Sequence, residues 1–224
     1  EAVWTCGGIN PPKAQATIAS EKFTEMVNER LKGKLKINFF GGSKLGSGPA
    51  QLEAISTGAQ DCYISSTSAS STLLKEWGVV DVPFLFNSIE HYAAFMKSDL
   101  AEGLNDRMAK EFNARQISSN WYRLPRVFVN RTKFVREPAD LKGVRVRSPN
   151  LPMWPAGWEA LGAIPVKTAY SEFYLAMSQG LVEGGESAGE QIYSSKIYEA
   201  APYIVESNFI FPGSSVVVSE SSFK

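Results

Sequence analysis

Arg145 and Arg147 alternate with Val144 and Val146, so an extended strand here would bury both valines on one face and turn both guanidinium groups to the other. Arg147 stands at the carboxyl end of that strand, just before Ser148-Pro149. In open α/β sheets ligands lie beyond the carboxyl ends of strands, and a guanidinium offers a rigid fork of donors that meets a carboxylate at two points. The chemistry this suggests is capture of a small acid, although spacing alone equally allows a solvated arginine in a rim salt bridge. The same placement makes Ser66 and Thr67, in the polar run Ser65 to Ser71 behind a predicted strand, candidate hydroxyl donors to a ligand. Nothing in the spacing chooses between those two hydroxyls, and such a run is more often simply a loop.

Other chemistries find less support. Two cysteines and one histidine, His91, give neither a zinc site nor a cysteine-histidine pair, and His91 is expected to decorate a helix face. The stretch Gly41 to Gly48 resembles a phosphate cradle but lacks the lysine-serine ending and the dinucleotide glycine spacing, so no nucleotide cofactor is expected. A hydrolase or decarboxylase would use Glu186 or Glu172 as a base beside Arg147, but no set of nucleophile, base and orienting group accompanies them. An amino-acid receptor would need a carboxylate for the ammonium group; Asp61 is the nearest candidate and is not expected to reach.

The elements that must position Arg147 are legible on both sides of it. Leu35, Ile37 and Phe39 alternate with polar residues as a half-buried strand, and Ala16, Ala19, Phe23, Met26 and Val27 form one face of a helix opened by Pro11-Pro12. A helix over Pro49 to Thr57 and a strand over Asp61 to Ser65 follow, then a strand-loop over Val79 to Phe86 whose Phe84, Leu85 and Phe86 are expected in the core. Ser88 caps a helix through Met96, and a second helix over Leu100 to Phe112 puts Leu104, Met108 and Phe112 on one side. The strand Arg115 to Asn120 is broken by Pro125 before Val127-Phe128-Val129 resumes; a proline inside an extended run marks an edge, bulge or crossing, here taken as a first passage between two lobes. The second lobe then reads as a helix over Pro152 to Leu161, a strand over Ile164 to Val166, a helix over Ser171 to Gln179, a strand over Val182 to Glu186 and a helix over Glu190 to Ala200. Tyr203 to Ser207 is expected to lead back to the first lobe, which Ser215 to Ser219 completes. Tyr170 lies just before the cap Ser171, so its ring is expected at the mouth of the sheet.

The 224 residues, 44% of them hydrophobic, suffice for one large or two small cores. Lysine plus arginine balances aspartate plus glutamate at 23 each, which leaves no global field for nucleic acid. The apolar runs fall short of the roughly 20 residues that span a bilayer, and no charged leader opens the chain, so an already processed soluble form or an excised segment is expected. Cys6 and Cys62 fall in strands expected to be neighbours in a parallel sheet, a geometry that rarely favours a disulfide, and the expectation is that they are unbridged.

The ordered set Asp81-Val82-Pro83-Phe84-Leu85-Phe86, Asp140-Leu141-Lys142-Gly143, Trp158 to Val166, Ala169 to Gly180 and Val182 to Ser187 resembles the solute-binding proteins of tripartite ATP-independent periplasmic (TRAP) transporters, the C4-dicarboxylate-receptor family. The similarity runs in register from about Trp4 to the last residue. It implies a two-lobed periplasmic-binding-protein fold with mixed sheets flanked by helices, lobe one being residues 1–121 and 208–224 and lobe two residues 122–207. A small organic acid would be held in the cleft between them by Arg147, with Tyr170 packed against it and Arg126, or alternatively Arg123, as a second arginine. Ser187 occupies a position where many members carry asparagine, and a hydroxyl is shorter than an amide; Glu186 beside it joins the candidate ligand-binding set. The resemblance further implies a monomeric periplasmic receptor with no enzymatic activity that delivers its ligand to a membrane permease, and a further third of sequence, mostly long helices, that this chain does not include. Trp4, Trp121, Tyr122, Trp154, Trp158 and Tyr170 are left either as walls for a sugar-acid or aromatic ring or as core.

Overall fold

A computed structural model describes residues 1–151 and 153–224. The strand and helix rhythm of the first half produces β1 (Ala2–Gly7), α1 (Gln15–Arg30), β2 (Leu35–Phe40), α2 (Gly48–Ser56) and β3 (Cys62–Ser66), with β1 lying parallel between β2 and β3. Two 3₁₀ segments, Thr67–Thr72 and Lys75–Asp81, lead to α3 (Ile89–Met96), α4 (Asp99–Phe112) and β4 (Ala114–Tyr122). Ser88 caps α3 by accepting the His91 amide at 3.1 Å, as its sequence position requires.

The chain then crosses to a second sheet. It carries β5 (Arg126–Asn130), β6 (Arg145–Ser148), α5 (Met153–Ala160), β7 (Ile164–Lys167), α6 (Phe173–Ser178), β8 (Gly184–Ala188), α7 (Gly189–Ser194), α8 (Ile197–Ala200) and β9 (Tyr203–Val205). It returns as β10 (Gly213–Ser219), followed by the short α9 (Glu220–Phe223). The first sheet has the order β2-β1-β3-β10-β4 and the second β7-β6-β8-β5-β9. In the first, β10 is antiparallel to both β3 and β4; in the second, β6 is parallel to β7 and β8 while β5 is antiparallel to β8 and β9.

Each lobe has its own core. Tyr63, Trp77, Tyr92 and Met108 pack under the first sheet, with Cys6, Ile37 and Val216 on its other face. Phe128, Val146, Trp154 and Trp158 fill one face of the second sheet, and Val129, Phe173, Met177 and Ile192 the other. Fully burying side chains of this size contributes about 1.5–3 kcal/mol apiece, so each lobe has the means to hold its shape while the other moves. The two crossings run side by side: Arg123 donates its amide to Pro212 at 3.2 Å and Arg126 donates to Ile210 at 3.0 Å. Pro125 sits in the first of them, where its missing amide costs no sheet hydrogen bond.

Several expectations are corrected. On α1, Phe23 and Val27 pack against the first-lobe core as expected, but the fully buried positions are Thr17, Ser20 and Thr24, while Ala19 and Met26 are exposed. The hydroxyls tolerate burial because each returns to a backbone carbonyl, Thr17 to Asn10, Ser20 to Ala16 and Thr24 to Glu21. Val79 to Phe86 is no strand: it includes the end of a 3₁₀ turn, and Phe84 and Leu85 are 73% and 43% exposed where core was expected. The Phe84 amide is held by the Phe209 carbonyl at 2.7 Å in the return crossing, which turns the ring outward; only Phe86 goes in, edge-on to Tyr92. The run Ser65 to Ser71 is a buried 3₁₀ turn from Thr67 on rather than a loop. The helix expected over Glu190 to Ala200 is two, split at Lys196 with φ of 55°. Tyr203–Val205 belongs to the edge of the second sheet, so the return crossing begins after it. The helix start expected at Pro152 lies outside the described residues.

Cys6 and Cys62 are also bridged, against expectation. They are register partners with Cα atoms 4.4 Å apart, and the β1–β3 ladder is two residue pairs long and begins with them. The geometry of a long regular parallel ladder therefore does not apply at this pair.

Candidate ligand cleft

Arg147 is placed by three elements. Its strand β6 buries Val146 completely in the core, and the opposite face of the same strand then carries Arg147, itself only 5% exposed, while Arg145 at the strand's start is exposed. From β7 onward the chain supplies the Thr168 carbonyl, which accepts the Arg147 Nε–H at 3.0 Å and fixes the plane of the guanidinium. Beneath lies Phe173 of α6, with the guanidinium carbon 5.3 Å from its ring centre and 5.7 Å from that of Tyr170. Gly185 of β8 makes this approach available, because a Cβ there would strike the Phe173 ring and come within 3.3 Å of the Arg147 Cβ.

The neighbouring carboxylate is Glu186, wholly buried on β8. Its Oε2 accepts from Arg126 Nη1 at 2.5 Å, and its Oε1 lies 4.0 Å from Arg147 Nη1. Arg126 is further held with its guanidinium carbon 4.8 Å over the Trp154 ring. Burial works against the Arg126 charge, but Glu186 and, more weakly, Asp81 outweigh it and raise its pKa. Burial pushes Arg147 down to about 10, opposed by Glu186, so it remains a cation at neutral pH. One carboxylate thus faces two guanidinium groups and is committed to Arg126.

The gap that Arg147 faces is a cleft of about 330 Å³. Tyr170, Thr168, Lys167 and Asn150 line it from the second lobe, and Ile9, Ser43, Ser47, Tyr63 and Ser66 from the first. Of the residues singled out in the sequence, Arg147, Tyr170 and Ser66 are brought together on this wall. The Tyr170 hydroxyl is engaged by Ser195 at 3.0 Å, so the ring rather than the oxygen is presented. Burial pushes the Tyr63 hydroxyl up to about 12, and neither it nor the Ser66 hydroxyl has a hydrogen-bond partner among the described residues. Tyr63 and Ser66 thus place two buried hydroxyls without partners at the cleft wall.

The other candidates are not among the residues lining this cleft. Arg126 and Glu186 form the ion pair described above, Thr67 is buried in the 3₁₀ turn, and Ser187 donates to Gln191 Oε1 at 2.6 Å. Arg123 pairs with Glu190 at 2.9 Å in the crossing. Asp61 sits at the start of β3, bound to the Thr5 amide and the Ser222 hydroxyl, far from the strand's carboxyl end, and Glu172 is exposed. Among the aromatics, Trp121 packs edge-on to Phe23, Tyr122 edge-on to Tyr92, and Trp158 against Phe128 and Phe209, and Trp121 and Tyr122 also line a second cleft beside Arg123. Ser43, Ser47, Tyr63, Asn150 and Lys167 were not singled out from the sequence. Asn150 had a signal, since it follows the carboxyl end of Arg147's own strand, and the glycine-rich loop read as purely structural supplies the two serines.

Two α/β lobes joined by paired crossings, with a buried, incompletely neutralised guanidinium in the gap between them, define the class of two-lobed solute-binding proteins. The profile of DctP, bacterial extracellular solute-binding protein family 7, matches residues 6–224, and the chain belongs to that family. It is a family of receptors, not of enzymes. An uncharacterised protein, y4mM, of Sinorhizobium fredii is 35% identical over 202 residues, covering 89% of this chain and 37% of that protein. The 2,3-diketo-L-gulonate-binding periplasmic protein YiaO of Escherichia coli is 27% identical over 206 residues, 92% of this chain and 62% of that one. The chain therefore spans 37% and 62% of the length of these two relatives. In fold, it superposes with a TM-score of 0.93 on a TRAP periplasmic solute-binding protein of Roseobacter denitrificans solved with bound β-D-glucuronate, at 24% identity and covering 99% of this chain and 72% of that structure. No helix among the described residues is long and apolar enough to cross a membrane.

Proposed function

We propose that this chain is the ligand-binding part of a periplasmic receptor that captures a small organic acid, of the sugar-acid kind, between two lobes and presents it to a TRAP-type membrane permease. The lobes are residues 1–121 with 208–224, and residues 122–207. The observation that carries this reading is Arg147: buried, braced by Thr168 and two aromatic rings, and 4.0 Å from a carboxylate already held by Arg126. A buried guanidinium without close ionic contact is costly, and a ligand carboxylate that replaces its lost water removes that cost. Arg147 takes the carboxylate, the Tyr170 ring packs on the ligand, and Ser66 with Tyr63 takes ligand hydroxyls. Arg126, Glu186, Thr67 and Ser187 support the wall. Polyhydroxy acids fit this division of labour, and the ligands named for the Escherichia coli relative and the Roseobacter structure are both sugar acids. Lys167, on the same wall, favours a second reading in which a dicarboxylate is bound through both ends. The receptor works as a monomer.

The test is a thermal-shift panel of D-glucuronate, 2,3-diketo-L-gulonate, D-gluconate and succinate. A ligand that binds only the folded protein adds about 2.7 kcal/mol at a hundredfold excess over its dissociation constant, so a true ligand moves the melting point clearly. Sugar acids are expected to do so and succinate is not; a response to succinate alone selects the dicarboxylate reading. Arg147→Ala is expected to abolish every shift while leaving the unliganded melting point within a few degrees. A full shift in that variant would remove the acid from this cleft.

A further inference from the structure

The second cleft, of about 420 Å³, is lined by Gln15, Trp121 and Ser214 from the first lobe, by Glu190 from the second, and by Tyr122 and Arg123 where the chain crosses. It meets the first cleft across one pair of strands. Ser66 of β3 and Ser214 of β10 are register partners, Ser66 lining the first cleft and Ser214 the second, and neither hydroxyl has a hydrogen-bond partner among the described residues. Burial raises the pKa of the Tyr170 hydroxyl, opposed by Ser195, by Ser187 and by the charges of Arg123 and Arg147, so this ring of the first cleft also feels the cation of the second. The two clefts differ in charge. Arg147 and Lys167 line the first, and no carboxylate side chain does so among the described residues. In the second, Arg123 and Glu190 cancel, one oxygen of Glu190 accepting from Arg123 Nε at 3.0 Å. The other oxygen of Glu190 is buried and has no hydrogen-bond partner among the described residues.

We infer that the two clefts are the two ends of one ligand site, and that the ligand is an acid with a neutral polyhydroxylated tail, its carboxylate on Arg147 and its tail between Ser214 and the free oxygen of Glu190. The inference rests on the acid-receptor reading and adds the direction of the ligand and the chemistry of its far end. A buried carboxylate oxygen without a partner calls for a donor, which an alcohol supplies and an ionised carboxylate does not. A second carboxylate on the ligand would instead set like charge against Glu190, and that repulsion is stronger away from water. Arg123 does not offset it, because its Nε and Nη2 are already turned to Glu190. Ser66 and Ser214 form a strip of hydroxyls along which successive ligand oxygens lie, and the rings of Trp121 and Tyr122 give the carbon chain of the tail an apolar wall. Glu190 is then a specificity-determining residue that admits an alcohol and rejects a diacid of the same length.

Calorimetry on the full chain with its native disulfide intact tests this with D-gluconate, with D-glucarate, which is the same chain ending in a second carboxylate, and with D-erythronate, a shorter aldonate. The parent protein is expected to bind D-gluconate roughly tenfold more tightly than D-glucarate. Glu190→Gln, which keeps a hydrogen-bonding oxygen and removes the charge, is expected to narrow that ratio severalfold, chiefly by strengthening D-glucarate. Ser214→Ala is expected to weaken D-gluconate severalfold more than D-erythronate, whose chain ends short of the second cleft. It decides the matter if Glu190→Gln fails to fold by circular dichroism. D-glucarate bound as tightly as D-gluconate by the parent protein, an unchanged ratio in Glu190→Gln, or equal losses for the two aldonates in Ser214→Ala would each overturn the inference and leave the receptor reading in place. If none of the three acids binds, the inference falls, and the receptor reading falls with it only when the wider acid panel also gives no shift.

Discussion

Arg147 Nη1 stands 4.0 Å from one oxygen of Glu186, while the other oxygen of the same carboxylate lies 2.5 Å from Arg126. The asymmetry separates two arginines that look alike in the sequence. Arg126 is neutralised inside the second lobe; Arg147 keeps a charge that the cleft can offer to an anion. Nothing in the alternation of valine and arginine around position 147 contains this distinction, because it depends on β8 lying between β5 and β6.

Glu186→Gln tests the sharing directly. Removing the one anion between two buried guanidinium groups is expected to destabilise the unliganded protein by about 3–5 kcal/mol, as for other broken buried pairs. A bound acid would then face two cations, so its stabilising shift should exceed that in the parent protein. Chemical denaturation with and without the acid selected by the screen measures both effects; an equal or smaller shift would mean that the cleft does not feel Glu186.

Asp81 gives a pH dependence with a defined sign. It is buried, with one oxygen accepting from Ser68 at 2.5 Å, and burial raises its pKa from 3.8 to about 6. Between these values the folded chain holds a proton that the unfolded chain has released. Its contribution to stability therefore falls as pH rises from about 4 to about 6 and stays at the lower level above. Asp81→Asn is expected to stabilise the protein at pH 7 by up to about 3 kcal/mol and to change little at pH 4, measured by denaturant titration at both. An equal effect at the two pH values would show that Asp81 does not titrate in this window.

The Cys6–Cys62 disulfide closes a sequence separation of 56 residues within the first lobe. On the chain-entropy view a loop of this length is worth about 4 kcal/mol. Cys6→Ala with Cys62→Ala is expected to lower stability by an amount of that order while leaving acid binding measurable by calorimetry, because neither cysteine lines the cleft. Loss of binding in a folded double variant would mean that the bridge also shapes the site.

Gly185→Ala adds a methyl group that collides with Phe173 and crowds Arg147. Overpacking of this kind costs about 1–3 kcal/mol, and here it should also weaken the acid by tilting the guanidinium. Calorimetry should show affinity falling further than Gly180→Ala lowers it, since that glycine's crowded neighbour is Arg131, not Arg147.

The local periods in the chain determined a good deal. The strand carrying Arg147, the cap at Ser88, the break at Pro125 and the alternation of strands with helices in both lobes follow from spacings of two and 3.6 residues and from the chemistry of single residues, which need no distant partner. Tertiary structure alone decided that Thr17, Ser20 and Thr24 of α1 go fully inward beside Phe23 and Val27, since the three hydroxyls are acceptable there only because backbone carbonyls receive them. It also decided that Cys6 and Cys62 meet, that Arg126 turns to Glu186 and that Ser187 donates to Gln191. Those outcomes depend on which strands become neighbours and on where two lobes come to face each other. A pattern within one segment records the face a side chain takes; it holds no record of the group, far away in the chain, that the face will meet.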